Sequence, residues 1–542
     1  MRRLSTRRLA VVLAGAVLLS ACGTAAQQGT TSDESDPAPA DEPPAVTEMI
    51  APEDRVLADD QNLVVRQYSE PVGFDPATLF RIDTEMIALN IYNGLTSFDP
   101  VTGQPTPGLA ESWDISEDGL VYTFHLVENA TWHFDYGPFT AADVVYSYER
   151  ILDPATGSQY RAELGSIEEI VALDDYTVQI TLNAPDANFL LQVTNNHQGQ
   201  IVNQQAVEDF GDDYPRNPVG TGPFYLESWT PNATLVLKRH EDYFLGAADL
   251  ESVTFELITD AAAAETALLN GEVDAAAGMN SLSSEQFERV SSTEGIWVST
   301  AEGYTTNAWL FGSEFEPFGD QRVRQAFVMA LDNAAILEAI APHSAQPWQG
   351  VLPPWMAETD ATIEPISYDP DRAKELLAEA GYPDGFTVRL ISTAPTETAI
   401  LQQDFLAQVG ITLEFDIVEV PVFNERRQSG DFELSFRVYP AINPDTLLRG
   451  YLHPENAAPT GMNGSRYDDP DVTALLDEAR SELDQEARYA LYAQIQQIVA
   501  DQVMYPASAA TNQSWAMSEA VRNVQVNQLA GVDLYPVYIS AE

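Results

Sequence analysis

The chain has 542 residues, of which 26 are lysine or arginine and 83 are aspartate or glutamate, for a formal net charge of −57. A charge of that sign and size repels phosphate backbones and excludes nucleic acid as a partner. Cys22 is the only cysteine, so no internal disulfide can form and the fold must rest on its hydrophobic core, for which the length allows two or three domains.

The N-terminus points to export. Arg2, Arg3, Arg7 and Arg8 precede an apolar run from Leu9 to Leu19 that is too short to cross a bilayer comfortably and reads as a signal peptide over residues 1–21. Leu19-Ser-Ala-Cys22 resembles the lipobox of bacterial lipoproteins, which implies that Cys22 is acylated and becomes the mature N-terminus. The alternative is a signal peptide without a lipid. Thr6-Arg-Arg-Leu9 resembles a twin-arginine signal but lacks the aromatic that usually follows, which leaves both export routes open. Residues 22–56 are rich in Thr, Ser, Asp, Glu, Pro and Ala and are expected to form a disordered tether.

The body opens on a strand pattern, Asn62-Leu-Val-Val-Arg-Gln67, then a helix-like run from Asp83 to Tyr92 closed by Asn93-Gly94. Leu120 to Leu126 and Tyr176 to Leu182 alternate as strands, and Thr140 with Asp143 forms a capping box before the apolar face Val144, Tyr148 and Ile151. Residues 101–216 thus read as a compact mixed α+β unit. At 217–229 the character changes. Pro218 and Pro223 stiffen the chain, Gly220 and Gly222 free it, and Phe224, Leu226 and Ser228 alternate with Tyr225, Glu227 and Trp229 before a second strand at Thr234 to Lys238. A hairpin entered through an elbow is the expectation. Beyond it Asp260 caps an alanine-rich helix, and Asp320, Asp369-Pro370 and Asp469-Pro470 each begin an amphipathic helix. With strands at Phe386 to Ile391 and Ile411 to Val418, residues 303–505 read as a second α/β domain. Val532 to Tyr538 is again strand-like.

Enzyme signatures are missing. The chain holds no Gly-x-Ser-x-Gly, no phosphate loop with Gly-Lys and no His-Glu-x-x-His, and Gly220-Thr-Gly222 lacks the third glycine of a dinucleotide turn. His125 and His133 have no third ligand at metal-binding spacing and read as ordinary strand or loop residues. No enzyme activity, metal or cofactor is expected. Acidic residues are too numerous for any carboxylate pair to stand out.

Tyr92-Asn-Gly-Leu-Thr96, Ala110-Glu-Ser-Trp113, Asn217-Pro-Val-Gly-Thr-Gly-Pro-Phe224, Leu269-Asn-Gly-Glu-Val-Asp274, Arg322-Val-Arg-Gln-Ala326 and Ala380-Gly-Tyr-Pro-Asp-Gly385 resemble, in this order, the family 5 solute-binding proteins of ABC importers. The resemblance runs from about residue 60 to the C-terminus. It implies an α/β, two-lobed periplasmic-binding-protein-like clamshell of type II with an extra mixed α+β subdomain in the first lobe. Lobe I would comprise 57–100, 217–302 and 506–542, the inserted subdomain 101–216, and lobe II 303–505. The implied protein is a monomer on the outer face of the cytoplasmic membrane, with a small solute and the permease subunits of the importer as partners. A sensor or scaffold using the same clamshell is the alternative.

The resemblance also implies where a solute sits. Peptide binders of the family have a tryptophan followed three positions on by an aspartate that meets the peptide ammonium, ahead of an Asp-Pro-Asp turn. If Asn443-Pro-Asp445 is that turn, these positions fall on Arg437 and Pro440. Neither chemistry is kept, and a buried ammonium without a carboxylate would cost several kcal/mol, so a peptide, an oligosaccharide and an anionic solute all remain as ligands. The expected lining is Gln67, Tyr68, Asn195, Asn196, His197, Tyr304, Thr305, Thr306, Asn307, Arg437, Tyr439 and Asn443, with Arg437 offering its fork of donors to the solute or lying on the surface among acidic neighbours. The small residues of Tyr505-Pro-Ala-Ser-Ala-Ala510 are expected to widen the pocket.

Overall fold

The computed structural model describes residues 49–541 apart from 80, 100–102, 159, 162, 277–283, 440–442, 458–461 and 527–530. The signal peptide, Cys22, the tether as far as residue 48 and Pro440 lie outside the described residues, as do the side chains of Tyr304 and Tyr439.

One sheet runs through both lobes. Its strand order is Ile411–Ile417, Phe386–Ser392, Leu434–Tyr439, Ile296–Phe311, Ala507–Ser518, Ala275–Ala276, Asn62–Gln67, Ser252–Leu257, Thr234–Arg239, Phe224–Thr230. The first lobe gathers around Asn62–Gln67, whose neighbours Ser252–Leu257 and Ala275–Ala276 are both parallel to it. The second gathers around Phe386–Ser392, parallel to Ile411–Ile417. Between them Ile296–Phe311 and Ala507–Ser518 pair antiparallel and carry the chain across, with a register irregularity between Ala301 and Thr305. Leu63, Val65, Phe224, Leu237 and Val253 fill the first core, and Trp309, Phe311, Phe327, Val388 and Leu434 part of the second.

The inserted unit is a four-stranded antiparallel sheet, ordered Ala110–Ile115, Val121–Leu126, Thr177–Leu182, Ile167–Asp174. Helix Ala141–Leu152 packs on it and starts with the expected box, Thr140 N–H donating to Asp143 Oδ2 at 2.9 Å. The other caps also form: Asp260, Asp320, Asp369 and Asp469 each accept from a backbone N–H in the first turn of the helix that follows. Side-chain oxygens at these positions satisfy donors that the helix itself leaves unmet.

The elbow is built differently from the expectation. Neither Gly220 nor Gly222 takes a positive φ. Close approach is what requires them: a Cβ on Gly220 would lie 2.0 Å from Ile91 O, and one on Gly222 would lie 2.5 Å from Ile91 C. His133, expected to be an ordinary strand or loop residue, braces the same turn. Its Nδ1 accepts from Gly220 N–H at 3.2 Å and its Nε2 donates to Gly222 O at 3.0 Å. That pattern fixes the neutral tautomer, and burial pushes the imidazole pKa down to about 3. In the hairpin that follows, a register shift between Leu226 and Ser228 interrupts the expected alternation.

Two further expectations are corrected. The tether does not run loose to residue 56: Ile50 and Asn523 exchange two hydrogen bonds of 2.9 Å, and Ala541 N–H donates to Val56 O at 3.0 Å. Val532 to Tyr538 is not a strand. Val532 forms only a single bridge to Val526, and Tyr538–Ile539 pairs with Val521–Arg522. The C-terminal strand of the main sheet is instead the alanine- and serine-rich Ala507–Ser518. Small side chains suit it because it lies between two strands, and that pairing overrides a weak intrinsic preference.

Candidate functional site

The residues expected to line the site in the first lobe lie at the end of its first strand and in the segment 195–200, against the helix Ile82–Ala88. Gln67 is buried, with Nε2 donating to Asp83 O at 3.1 Å. Tyr68 follows; burial and the nearby Asp83 carboxylate push its phenol up to about 12, and the Arg66 guanidinium stands 5.7 Å from its ring centroid. Arg81 Nε holds Asp83 Oδ1 at 2.9 Å.

One helical turn further, Glu85 is almost wholly enclosed. Its Oε1 accepts from His197 N–H at 3.1 Å and from Gln200 Nε2 at 3.0 Å, while His197 Nε2 lies 3.8 Å from Oε2. Burial raises the pKa of this carboxyl. His197 adopts φ +40° and stacks on Tyr160 at 4.8 Å. Asn195 Nδ2 donates to Leu89 O at 2.9 Å. Asn195 and His197 thus stand together at Glu85, a residue the sequence did not single out.

From here the inserted unit meets the second lobe. Glu163 N–H donates to Tyr160 O at 3.0 Å, and Glu163 Oε2 accepts from Thr446 Oγ1 at 3.4 Å. Beside this contact Ala187 N–H donates to Arg480 O at 2.9 Å, Asn188 Nδ2 to the Tyr492 hydroxyl at 3.1 Å, and Arg480 Nη2 to Asp186 Oδ2 at 3.0 Å. The inserted unit is therefore latched onto the helices Pro470–Ser481 and Gln485–Asp501 of the second lobe. Asn443 caps the helix Pro444–Leu452 through Asp445 N–H at 2.9 Å, so its side-chain oxygen is engaged by its own helix. Burial pushes the Asp445 carboxyl up to about 6.

Thr305 and Thr306 are buried in the crossing strand, paired with Thr511 and Tyr439 respectively, and Asn307 lies opposite Val438 and Ala509. Arg437 departs from the surface reading of it. It is 0% exposed, its Nη2 donates to Val351 O at 3.3 Å, and its guanidinium lies 4.1 Å from the centroid of Tyr451. The residue is therefore not on the surface, and strand Leu434–Tyr439 sets its guanidinium against Tyr451 of the helix Pro444–Leu452.

A two-lobed body on a shared sheet, with an inserted unit in contact with the second lobe, has close counterparts. The model of the bacterial extracellular solute-binding proteins, family 5, matches residues 104–459. The chain belongs to this family. It is 29% identical over 466 residues to heme-binding protein A of Haemophilus influenzae, covering 80% of the chain and 84% of the relative. It is 28% identical over 515 residues to di/tripeptide-binding protein 1 of Pseudomonas aeruginosa, covering 88% and 94%. Among solved structures, the periplasmic binding protein DppA of Helicobacter pylori in complex with the peptide STSA has a TM-score of 0.78 at 29% identity, covering 90% of this chain and 99% of that one. MoaA of A. tumefaciens R10, in complex with mannopinic acid, has a TM-score of 0.76 at 26% identity, covering 89% and 100%.

The family 5 member is thus a type II, two-lobed α/β clamshell and a solute-binding protein of ABC importers, a family of extracytoplasmic transport proteins. Among the described residues no helix is long and apolar enough to cross a membrane, and no group of three or more His, Cys, Asp or Glu could hold a metal ion.

Proposed function

We propose that this protein is a lipoprotein held through Cys22 on the outer face of the cytoplasmic membrane, where it closes two lobes on a peptide-like or other polar solute and delivers it to the permease subunits of an ABC importer. The observation that carries the reading is the polar wall at Glu85, Asn195 and His197 set beside the contacts of Glu163, Ala187 and Asn188 with the second lobe. Solute binding that orders both sides of such a seam favours closure by mass action. Gln67, Tyr68, Asn195, Asn196, His197, Thr305, Thr306 and Asn307 are the proposed lining, and the lobe boundaries near 101, 217, 303 and 506 are the proposed divisions. The peptides named for relatives support a peptide-like ligand.

The test is a thermal-shift screen of the purified body with peptides, oligosaccharides and metal chelates, paired with small-angle scattering. A ligand that raises the unfolding temperature and contracts the particle supports the reading; stabilisation without contraction counts against closure. Anchoring is read separately, since Cys22→Ala should move the protein from the membrane fraction to the soluble one.

A further inference from the structure

The buried polar atoms around Glu85 share one property. Glu85 Oε2, Asn195 Oδ1, Asn196 Oδ1 and Gln200 Oε1 have no hydrogen-bond partner among the described residues, and all four are oxygens that can only accept, or in the carboxylic acid's neutral form accept with one proton to give. Their companion atoms fix this assignment. Gln200 Nε2 is spent on Glu85 Oε1 and Asn195 Nδ2 on Leu89 O, so neither amide can turn its nitrogen inward without losing a bond already made. Glu85 is 4% exposed and Gln200 1%. The group is also tied together: Gln200 and the His197 N–H share Glu85 Oε1, and Leu89 lies one helical turn beyond Glu85.

Buried acceptors left unpaired are costly, more so for a charged group, so four of them on Glu85 and the segment 195–200 that packs on its helix call for a donor from outside the chain. An ammonium supplies three N–H donors and the charge a buried carboxylate lacks. An anionic or purely accepting solute would meet these oxygens with repulsion. The strongly acidic chain would, in addition, draw cations toward the cleft.

We infer that Glu85, with the amide oxygens of Asn195, Asn196 and Gln200, is a subsite for a protonated amine of the solute, built on the first lobe in place of the second-lobe carboxylate that Pro440 does not supply. The inference rests on the solute-binding reading above and narrows its ligand to one carrying a primary ammonium, whether the N-terminus of a peptide or the amine of an amino sugar. His197, whose Nε2 lies 3.8 Å from Glu85 Oε2, is the neighbour that such an amine would face together with the carboxylate. Burial raises the Glu85 pKa against the opposing pull of His197, and an ammonium at its carboxyl would lower it.

Calorimetry with two matched pairs tests this: tri-alanine against N-acetyl-tri-alanine, and glucosamine against N-acetylglucosamine. The free amine of at least one pair should bind about tenfold or more tightly than its acetylated partner, and the pair that shows the gap identifies the source of the amine. Glu85→Gln keeps an acceptor for Gln200 and His197 but removes the charge, and should shrink that gap toward unity. Asn196→Ala removes an oxygen with no partner to lose, and should shrink it several-fold even if Glu85→Gln fails to fold. Equal binding of acetylated and free probes, or a gap unchanged in a folded variant, overturns the subsite. A neutral or anionic compound as the tightest ligand of the wider screen overturns it too while leaving solute binding intact; silence from every compound defeats the solute-binding reading itself.

Discussion

Arg480 Nη2 meets Asp186 Oδ2 at 3.0 Å, joining the inserted unit to the second lobe. Asp186 is 1% exposed and also accepts from Gln192 Nε2 at 3.0 Å, so its carboxylate is held from both sides of the seam. Arg480 is partly open to solvent, which tempers the strength of the pair. Replacing Arg480 with alanine leaves Asp186 buried with only two neutral donors, Gln192 Nε2 and Asn188 N–H, and should weaken the closed form by about 1–2 kcal/mol. The expected readout is roughly five- to thirtyfold weaker solute binding, with a larger radius of gyration at a given solute concentration. An unchanged affinity would mean the seam does not contribute to closure.

Asp445 gives the body a definite response to acid. Its pKa rises to about 6 from burial, opposed by Arg449 and aided by Asp186. Because the folded value lies above the unfolded one, the folded state takes up the proton first, and stability rises as pH falls from about 6 toward 4, by about 1.4 kcal/mol per unit at most. Above pH 6 the penalty on the charged form is fully present. Asp445→Asn should remove this slope, read as the difference between wild-type and variant unfolding free energies from pH 7.5 to 4.5.

His133 works in the opposite sense. Its folded pKa is pushed down to about 3 from an ordinary value of 6.5, so the unfolded chain takes the proton first. Stability from this residue is complete above about pH 6.5 and is lost below it, again by about 1.4 kcal/mol per unit. His133→Ala should abolish that acid sensitivity and, by orphaning Gly220 N–H and leaving Gly222 O to His240 Nδ1 alone at 3.3 Å, lower stability at neutral pH by about 1–3 kcal/mol. Chemical unfolding of wild type and variant at pH 7.5 and 5 separates the two effects.

Much of the architecture could be read from residue chemistry. Caps at Thr140, Asp260, Asp320, Asp369 and Asp469 need only a side-chain oxygen before an apolar period, and each stands where that local rule puts it. The crossing strand Ala507–Ser518 was not legible, because its conformation is imposed by strands some 200 residues away in the chain. Glu85 was hidden for another reason. One carboxylate among 83 acidic residues carries no mark of its burial, which depends on the packing of 195–200 against its helix. The burial of Arg437 was hidden too, because its alignment with a ligand position says nothing about which way the strand turns it, here toward Tyr451.

That last placement can be tested directly. Arg437→Ala removes a fully buried guanidinium from the face of Tyr451 and leaves a cavity, at an expected cost of about 3 kcal/mol in unfolding free energy. Arg437→Met, of similar length and no charge, should recover most of it. In both variants the affinity of the folded fraction should stay within about twofold of wild type, a change of under 0.5 kcal/mol. A tenfold loss in the methionine variant would return Arg437 to the solute.

The pairing of Ile296–Phe311 with Ala507–Ser518 sets the mechanics of the molecule. Strands joined by a ladder resist sliding past one another, since any slip of one residue breaks every rung and reverses every side chain. They flex far more readily where the ladder is interrupted, and here four residue steps from Ala301 to Thr305 answer two from Gln513 to Thr511. A smaller shift follows between Asn307 and Ala308, so the lobes are coupled like two plates on a leaf spring whose widest thinned section is at 301–305. Reporter dyes on opposite lobes should register a rotation about residues 301–305 with little translation, and a proline placed in that section would stiffen the spring without touching either plate.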